Sequence, residues 1–303
     1  MSDPEQRYEQ EQAESLARIE RGGIPISAER RLAELKESGG AATFTSDLSV
    51  NGFALCHQLG LKPLSQVMGS SIYQMGYQGA WGAMGFGNAI LLELDSLSQA
   101  LNEVRSRALV RLGQEAHLLG ADAVVGLQTR AGESQLETGT LALEHVVVGT
   151  AVRREDAHVQ HPILTELSVA EYAMLLQGGF EPLGIVAWSA VFFTSYRYGG
   201  MMGGAPMSMG VQSFELREFT QAIYSAREAV MQRITAQAAS LGASGVVGMK
   251  IGHTVSPRTL GGGGVGMREV SGMMVTFTAV GTAIHERSDT TVKAPKPTID
   301  LFG

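Results

Sequence analysis

Cysteine and charge are both scarce in this chain of 303 residues. The single cysteine, Cys56, excludes an intrachain disulfide framework and a cysteine-based zinc cluster. Charged residues make up 17% of the chain, whereas ordinary soluble domains carry roughly 25%. Acidic residues outnumber basic ones by 30 to 23, which gives a net charge of −7. A general nucleic-acid-binding surface would be basic, so nucleic acid is not an expected partner.

Long apolar runs are also lacking. Residues 63–92 carry no charge, but glycine, serine and glutamine dilute them below the hydropathy of a membrane-spanning helix. The first twelve residues are acidic and polar and have no apolar core, unlike a secretory signal. We therefore expect a cytoplasmic protein.

Glycine and methionine, in contrast, are abundant, at 38 and 14 residues. They concentrate in two uncharged segments, residues 69–88 and 198–211, whose large side chains are Tyr73, Tyr77, Trp81, Phe86, Met201, Met202, Met207 and Met209. Exposed segments of this kind would form large apolar patches. We expect them to be buried at a subunit interface; contact with a membrane or a hydrophobic partner, or a disordered loop, are the alternatives.

A tandem duplication organises the chain. Residues 93–126 and 215–248 align without a gap at an offset of 122, and 13 of the 34 positions are identical. The match extends upstream, where residues 48–50 recur as 167–169, and downstream, where residues 148–151 recur as 280–283. The changing offset places insertions between elements of constant length, as expected for two copies of one domain.

Each copy has the pattern of a strand, a long loop, a helix and two further strands. Apolar residues at helical spacing predict one long amphipathic helix per copy, ended by Gly120 and by Gly242. Valine- and threonine-rich runs predict strands, over residues 64–73, 123–129 and 140–152 and over 183–196, 245–251 and 273–284. The predicted fold class is α+β, with tandem β-α-β-β domains and antiparallel sheets that each pack on one long helix. The other face of each sheet is left bare and must pack on something.

Five regions follow from this organisation. They are a charged helical N-terminal extension (1–42), the first repeat (43–153), a linker (154–162), the second repeat (163–286) and a flexible C-terminal tail (287–303). Ser27 is expected to cap the second helix of the extension. The tail ends in an apolar cluster, Ile299, Leu301 and Phe302, which suits docking on a protein partner; a frayed end is the alternative.

The turn after each long helix is distinctive. It reads LGADAVVG at residues 119–126 and LGASGVVG at 241–248, and a later strand in each copy contains Val-Gly-Thr-Ala. This order of motifs resembles the YbjQ family, often labelled heavy-metal-binding domains. The resemblance implies a dodecin-like β-α-β-β unit that assembles into a pentameric ring, and therefore a homo-oligomer with C5 symmetry. For a chain with two copies, the simplest closed solution is five chains in two stacked rings, one ring for each repeat, and a single ring of ten repeats is the alternative. The enlarged loops, the extension and the tail depart from the family pattern.

Metal ligands are not shared between the copies. His117 aligns with Ala239, and His145 aligns with Phe277. His158 and His161 are spaced to hold one ion, but two ligands in a polar linker make a weak site. The methionine-rich loop is an equally weak candidate for Cu(I). We therefore predict no metal and no cofactor, and metal binding remains an alternative that the family label suggests.

Catalytic motifs are missing as well. Cys56 precedes His57, but on a strand, where we expect them, neighbouring side chains point to opposite faces. The polar residues shared by both copies include Glu93, Arg105, Arg111, Glu215, Arg227 and Arg233. Surface ion pairs, contacts between domains of a ring and an anion site are the interpretations of this set. The sequence thus predicts a ring-forming structural or binding protein that is not an enzyme. A membrane-interacting or pore-like ring and a metal-binding protein are the alternatives.

Overall fold

The computed structural model describes residues 3–38, 43, 45–75, 91–135, 140–155, 159–195, 215–260 and 270–287. Eleven residues singled out from the sequence lie outside these ranges, namely Tyr77, Trp81, Phe86, His158, Met201, Met202, Met207, Met209, Ile299, Leu301 and Phe302.

The described residues form six helices and eight strands. The helices are α1 (Asp3–Glu20), α2 (Ile26–Glu37), α3 (Val50–Gln58), α4 (Asp95–Leu118), α5 (Val169–Gln177) and α6 (Arg217–Ser240). The strands are β1 (Leu61–Gln74), β2 (Leu91–Glu93), β3 (Ala123–Gln135), β4 (Leu141–Arg154), β5 (Ile163–Leu164), β6 (Phe180–Ser195), β7 (Gly245–Leu260) and β8 (Val270–Glu286).

The predicted α+β class with two β-α-β-β units is confirmed. In the first repeat, β1 precedes α4 along the chain and β3 and β4 follow it. In the second, β6 precedes α6 and β7 and β8 follow it. Each long helix packs on its own sheet and ends at a glycine with positive φ, Gly120 or Gly242. Every long strand pair is antiparallel.

One short helix near the start of each repeat was not predicted. Helix α3 begins after Ser49, whose hydroxyl accepts a hydrogen bond from the Gly52 amide, and α5 begins with a capping box between Ser168 and Glu171. The expectation of a strand at Cys56 and His57 was therefore wrong, because both lie on α3. A serine followed by glutamate three residues later is a recognised start signal, so the signal for α5 was present in the sequence.

The N-terminal extension forms a helical hairpin that packs on α4. Helix α2 begins at Ile26 after Pro25, whose extended backbone makes it the N-cap, so the prediction of Ser27 as the cap was wrong. Ile24 and Leu32 are buried in the same core as Leu112 of α4. The extension is thus an integral layer on the first repeat.

Two four-stranded sheets exchange their short strands. Sheet A has the order β1-β4-β3-β5, and sheet B has the order β2-β6-β8-β7. Strand β5, at the start of the second repeat, pairs in parallel with β3 of the first. Strand β2 of the first repeat pairs with β6 of the second. In the described sheets, β1 and β7 are therefore the long edge strands, and the short strands β5 and β2 form the opposite edges.

Both repeats carry the same bulge near the start of the strand that follows the long helix. The register of β3 shifts between Val125 and Gln128, and that of β7 shifts between Val247 and Lys250. Gly126 and Gly248 lie in these bulges with φ values of 64° and 63°. A left-handed backbone favours glycine, which explains why both copies have glycine here.

Candidate assembly interface

Helix α4 is shared between the two sheets. One side of it packs on sheet A, and another side contributes Leu97 and Val104 to a core that also contains Val191, Phe193 and Met274 of sheet B. Helix α6 packs on the opposite face of sheet B, with Val186 and Phe192. The bare face expected of each sheet is therefore covered in sheet B, by the helix of the other repeat.

Polar side chains of α4 also complete the backbone hydrogen bonding of β6. The Ser189 amide donates to Asn102 Oδ1 over 2.8 Å, and Asn102 Nδ2 donates back to the Ser189 carbonyl over 2.8 Å. The Val191 amide donates to Ser98 Oγ over 2.9 Å. An unpaired edge strand exposes amides and carbonyls. Here the side chains of α4 bind these groups of β6 up to the residues where β2 pairs with it.

Arg105 is buried in the same contact. Its guanidinium donates to the Ser189 hydroxyl and, over 2.8 Å, to Asn102 Oδ1. Burial lowers the pKa of Arg105 to about 10, although the nearby Glu166 carboxylate opposes this shift. The structure thus places one of the shared arginines between the two repeats of a single chain.

A second contact is made by the segment that leads into the second repeat, residues 163–167. The Thr165 amide donates to the Val124 carbonyl over 3.0 Å, and the Leu127 amide donates to the Thr165 carbonyl over 3.2 Å. The Thr165 and Thr282 hydroxyls are 2.8 Å apart. The leading segment therefore ties the β3 edge of one repeat to the core of the other.

The two repeats use different surfaces to meet. We call the first the donor surface: Ser98, Asn102 and Arg105 of α4 together with the edge of β3. The receiving surface is the bare face and edge of β6 at Ser189 and Val191, together with the leading segment. A contact between unlike surfaces is heterologous and leaves one donor and one receiving surface unused per pair of repeats.

The remaining shared residues have unequal surroundings in the two copies. Arg111 donates to the carbonyls of Ile19 and Gly23 in the N-terminal hairpin, whereas Arg233 lies 5.3 Å from the Trp188 ring centre. Burial raises the pKa of Glu93, with Asp95 adding to the shift and Arg233 opposing it. Glu215 and Arg227 are exposed.

Tyr73 is the one aromatic of its loop group that the structure describes. It is 36% exposed, and the Arg107 guanidinium lies 5.8 Å from its ring centre.

The histidines and the cysteine do not converge on a reactive centre. His161 lies near His117, with ring centres 6.2 Å apart, a pairing that sequence spacing did not indicate. Cys56 is fully buried, and burial raises the pKa of its thiol to about 11. His145 is also buried; burial and the nearby Arg105 charge lower its pKa to about 4. No group of three or more metal-binding side chains forms among the residues that the structure describes.

A groove of about 1150 Å³ follows the junction of the repeats. Asn102, Leu109 and Gln114 of α4 line one wall, and Ile185 and Trp188 of β6 line the other. The groove arises where the donor and receiving surfaces diverge, and no pattern in the sequence predicted it. Within the described ranges, no helix has the length and apolar character needed to cross a membrane.

Comparisons with known proteins agree with the duplicated architecture. The YbjQ family, described as "Putative heavy-metal-binding", matches residues 62–155 and 207–286. An encapsulin nanocompartment protein of Mycobacterium tuberculosis is 34% identical over 231 residues, which span 74% of this chain and 81% of that protein. A UPF0145 protein of Clostridium perfringens is 41% identical over 75 residues, which span 25% of this chain and 67% of that protein.

No solved structure matches the chain significantly. The family match covers more than half of the chain and falls on both repeats. The chain therefore belongs to the YbjQ family and contains two tandem copies of its domain.

Proposed function

We propose that the protein is a structural or binding component without a catalytic site, whose chains associate head to tail into a ring. The observation that supports this most is the heterologous contact between the repeats, since it leaves β1 and β7, among the described strands, each paired on one side only. Heterologous contacts generate closed rings when the rotation between units divides a full turn.

The relatives support the same function. The mycobacterial relative is named as a nanocompartment protein, and assembly of many copies agrees with that name. The lone cysteine is buried and free, which agrees with a reducing, cytoplasmic location.

Contact within one chain favours a ring in which first and second repeats alternate. Two stacked rings would instead place the repeats of one chain in different rings. A ring of alternating repeats contains an even number of them, and five chains with ten repeats would retain the C5 symmetry implied by the family. We therefore prefer the single ring to the stacked arrangement.

The two alternative functions rest on less. A membrane-interacting ring depends on the uncharged loops, and most of their residues lie outside the described ranges. Metal binding depends on the family description, and the histidines of one repeat have no counterparts in the other.

Native mass spectrometry of the full chain, together with electron microscopy, tests the proposal. A closed ring of several chains at micromolar concentration is the expected result. A monomer or an open filament would overturn it. The same sample, examined with liposomes and by elemental analysis, tests the alternatives: assembly only on lipid would favour the membrane function, and stoichiometric metal would favour the metal-binding function.

A further inference from the structure

We infer that helix α6 of one copy docks on the bare face of sheet A in a second copy, around Ile72. In the same junction, residues 45–48 of the second copy would lie along the β7 edge of the first. This inference rests on the head-to-tail assembly proposed above and names its contact. The occupant is a second copy of this chain, because each surface repeats one that is already buried within the chain.

The receiving surface is the first line of support. Positions of β6 correspond to positions of β1 at an offset of 119, and the same bulge follows the proline in both strands. Val191 is 0% exposed beneath α4, whereas its counterpart Ile72 is 72% exposed. Ser189, which binds Asn102 and Arg105, corresponds to the exposed Ser70. The face of sheet A around Ile72 therefore corresponds to the face of sheet B that α4 covers, but it is exposed.

The donor surface shows the opposite pattern. Positions of α4 correspond to positions of α6 at an offset of 122. Leu94, at the start of α4, is 5% exposed, whereas its counterpart Leu216 is 47% exposed. The buried Arg105 corresponds to the exposed Arg227. At Leu216 and Arg227, helix α6 therefore exposes the counterparts of residues that α4 buries against sheet B.

The hydroxyl residues of the contact are preserved as well. Ser98 accepts the Val191 amide, and its counterpart Thr220 is another hydroxyl residue. Thr220 donates to Glu215 over 2.9 Å, which leaves its oxygen able to accept an amide hydrogen. We expect this amide to be that of Ile72 in the second copy.

The leading segments provide a third, independent correspondence. Thr165 and Ser46 are counterparts, and each side chain accepts the amide two residues later, over 3.1 and 3.0 Å. Each also approaches the shared threonine of its own repeat, Thr282 or Thr150. Residues 45–48 therefore share the local conformation of residues 164–167, which bind the bulge of β3.

The edge that would receive this segment is the bulge of β7. Gly126 and Leu127 in the β3 bulge donate to Leu167 and Thr165. Their counterparts Gly248 and Met249 lie in the same bulge, on the outer strand of sheet B. We expect them to donate to the carbonyls of Leu48 and Ser46 of the second copy.

One substitution distinguishes the two junctions. Asn102, which pairs with both backbone groups of Ser189, corresponds to Tyr224, which is 66% exposed. Asparagine offers a separate acceptor and donor atom, whereas tyrosine has a single hydroxyl at the end of a longer, aromatic side chain. Opposite it, Met68 is 48% exposed where the second repeat has the smaller Ala187. The junction between chains is therefore more apolar than the junction within a chain.

The test uses two variants of the full chain, each with one surface disabled. Ile72→Asp disables the receiving surface, and Tyr224→Asp disables the donor surface; both positions are exposed, so the fold should tolerate them. Burying an unpaired carboxylate should weaken association by about 100-fold or more. Tyr8→Asp is the matched control, because Tyr8 of α1 is 66% exposed, as Tyr224 is, and lies in the N-terminal hairpin, outside both surfaces.

Native mass spectrometry of the variants, alone and mixed, gives the readout. Each interface variant alone should be monomeric, and the control should assemble as the parent does. An equimolar mixture of the two should form a one-to-one dimer and nothing larger, because only one donor and one receiving surface remain intact. Circular dichroism and thermal melting should match the parent.

The outcomes separate this inference from the proposed function. If the parent assembles and each variant alone still assembles as the parent does, the contact lies elsewhere and the inference is wrong. Variants that are monomeric alone and remain so when mixed would also overturn it, because a head-to-tail contact must be restored by mixing. A monomeric parent would instead overturn the proposed assembly itself.

Discussion

The two repeats share one fold but differ in how closely their long helices approach their sheets. At Gly69 of β1, an added Cβ would lie 1.9 Å from the Ala108 carbonyl of α4. The counterpart in β6 is Trp188, whose ring packs beneath Arg233 of α6. Helix α4 therefore lies closer to its sheet than a side chain would allow, and α6 rests on an indole ring.

This difference agrees with the separate tasks of the two helices. Arg111, the counterpart of Arg233, reaches past Gly69 to the Ser70 carbonyl over 2.6 Å and to the N-terminal hairpin. Helix α4 is thereby fixed between three layers: its own sheet, the hairpin and sheet B. Among the described residues, the buried side chains of helix α6 pack against its own sheet. Helix α4 is thus committed within the chain, whereas helix α6 has an exposed side, which we propose binds another chain.

Among the variants that test this comparison, we expect Gly69→Ala to lower the free energy of unfolding most. The methyl group would collide with helix backbone, which cannot rotate away, so the free energy of unfolding should fall by about 3 kcal/mol or more. Gly132→Ala is the control, because its nearest neighbour is a Glu144 carboxylate oxygen at an ordinary 3.6 Å. Guanidinium denaturation measures both; equal stability of the two variants would contradict the close approach of α4.

Removal of Arg105 should have the next largest effect. Arg105→Ala removes the buried guanidinium hydrogen bonds to the Ser189 hydroxyl and to Asn102 Oδ1, so the free energy of unfolding should fall by about 2 kcal/mol. Arg227→Ala removes an exposed counterpart, and we expect its effect to appear in the assembly, not in the stability of the monomer. Denaturation and native mass spectrometry of both variants check this split. If Arg105→Ala and Arg227→Ala lowered the free energy of unfolding equally and weakened assembly equally, the repeats would not differ as described.

Much of this architecture could be predicted from the sequence. The duplication, the long helices and the strand order depend on local periodicity, which persists whatever the helix packs against. The exchange of β2 and β5 could not be predicted, because strands of three and two residues carry no periodic signal and their partners lie about 100 and 40 residues away. The burial of Arg105 could not be predicted either, because its counterpart Arg227 is exposed and the two arginines differ only in their tertiary contacts.

Acid should reveal a further difference between the repeats at His145. This residue corresponds to Phe277, and its pKa is about 4 in the folded chain against 6.5 for an unperturbed histidine. The unfolded chain therefore binds the proton more readily, so stability is lost as the pH falls from about 6.5 to about 4. Between pH 7 and pH 5 the loss should be about 2 kcal/mol.

The variant His145→Phe isolates this contribution, because it gives the first repeat the residue of the second. The stability difference between the parent and this variant should change with pH in the stated window, and should be constant above pH 7. Glu166 has a raised pKa and contributes a slope of opposite sign, but it is present in both proteins. A pH-independent difference would show that His145 does not titrate as its burial implies.

The smallest expected effect concerns the caps of the two short helices. Ser168 accepts the Glu171 amide, and Glu171 in turn accepts the Ser168 amide over 2.8 Å, so the cap of α5 is reciprocal. Ser49 accepts only the Gly52 amide, over 3.1 Å, at the start of α3. Ser168→Ala should therefore lower the free energy of unfolding by about 1 kcal/mol, and Ser49→Ala by about 0.5 kcal/mol. Chemical denaturation of the two variants measures the difference, with Ser168→Asp as the control that keeps a capping oxygen. The reverse order of effects would mean that the leading segments, and not the caps, determine where these helices begin.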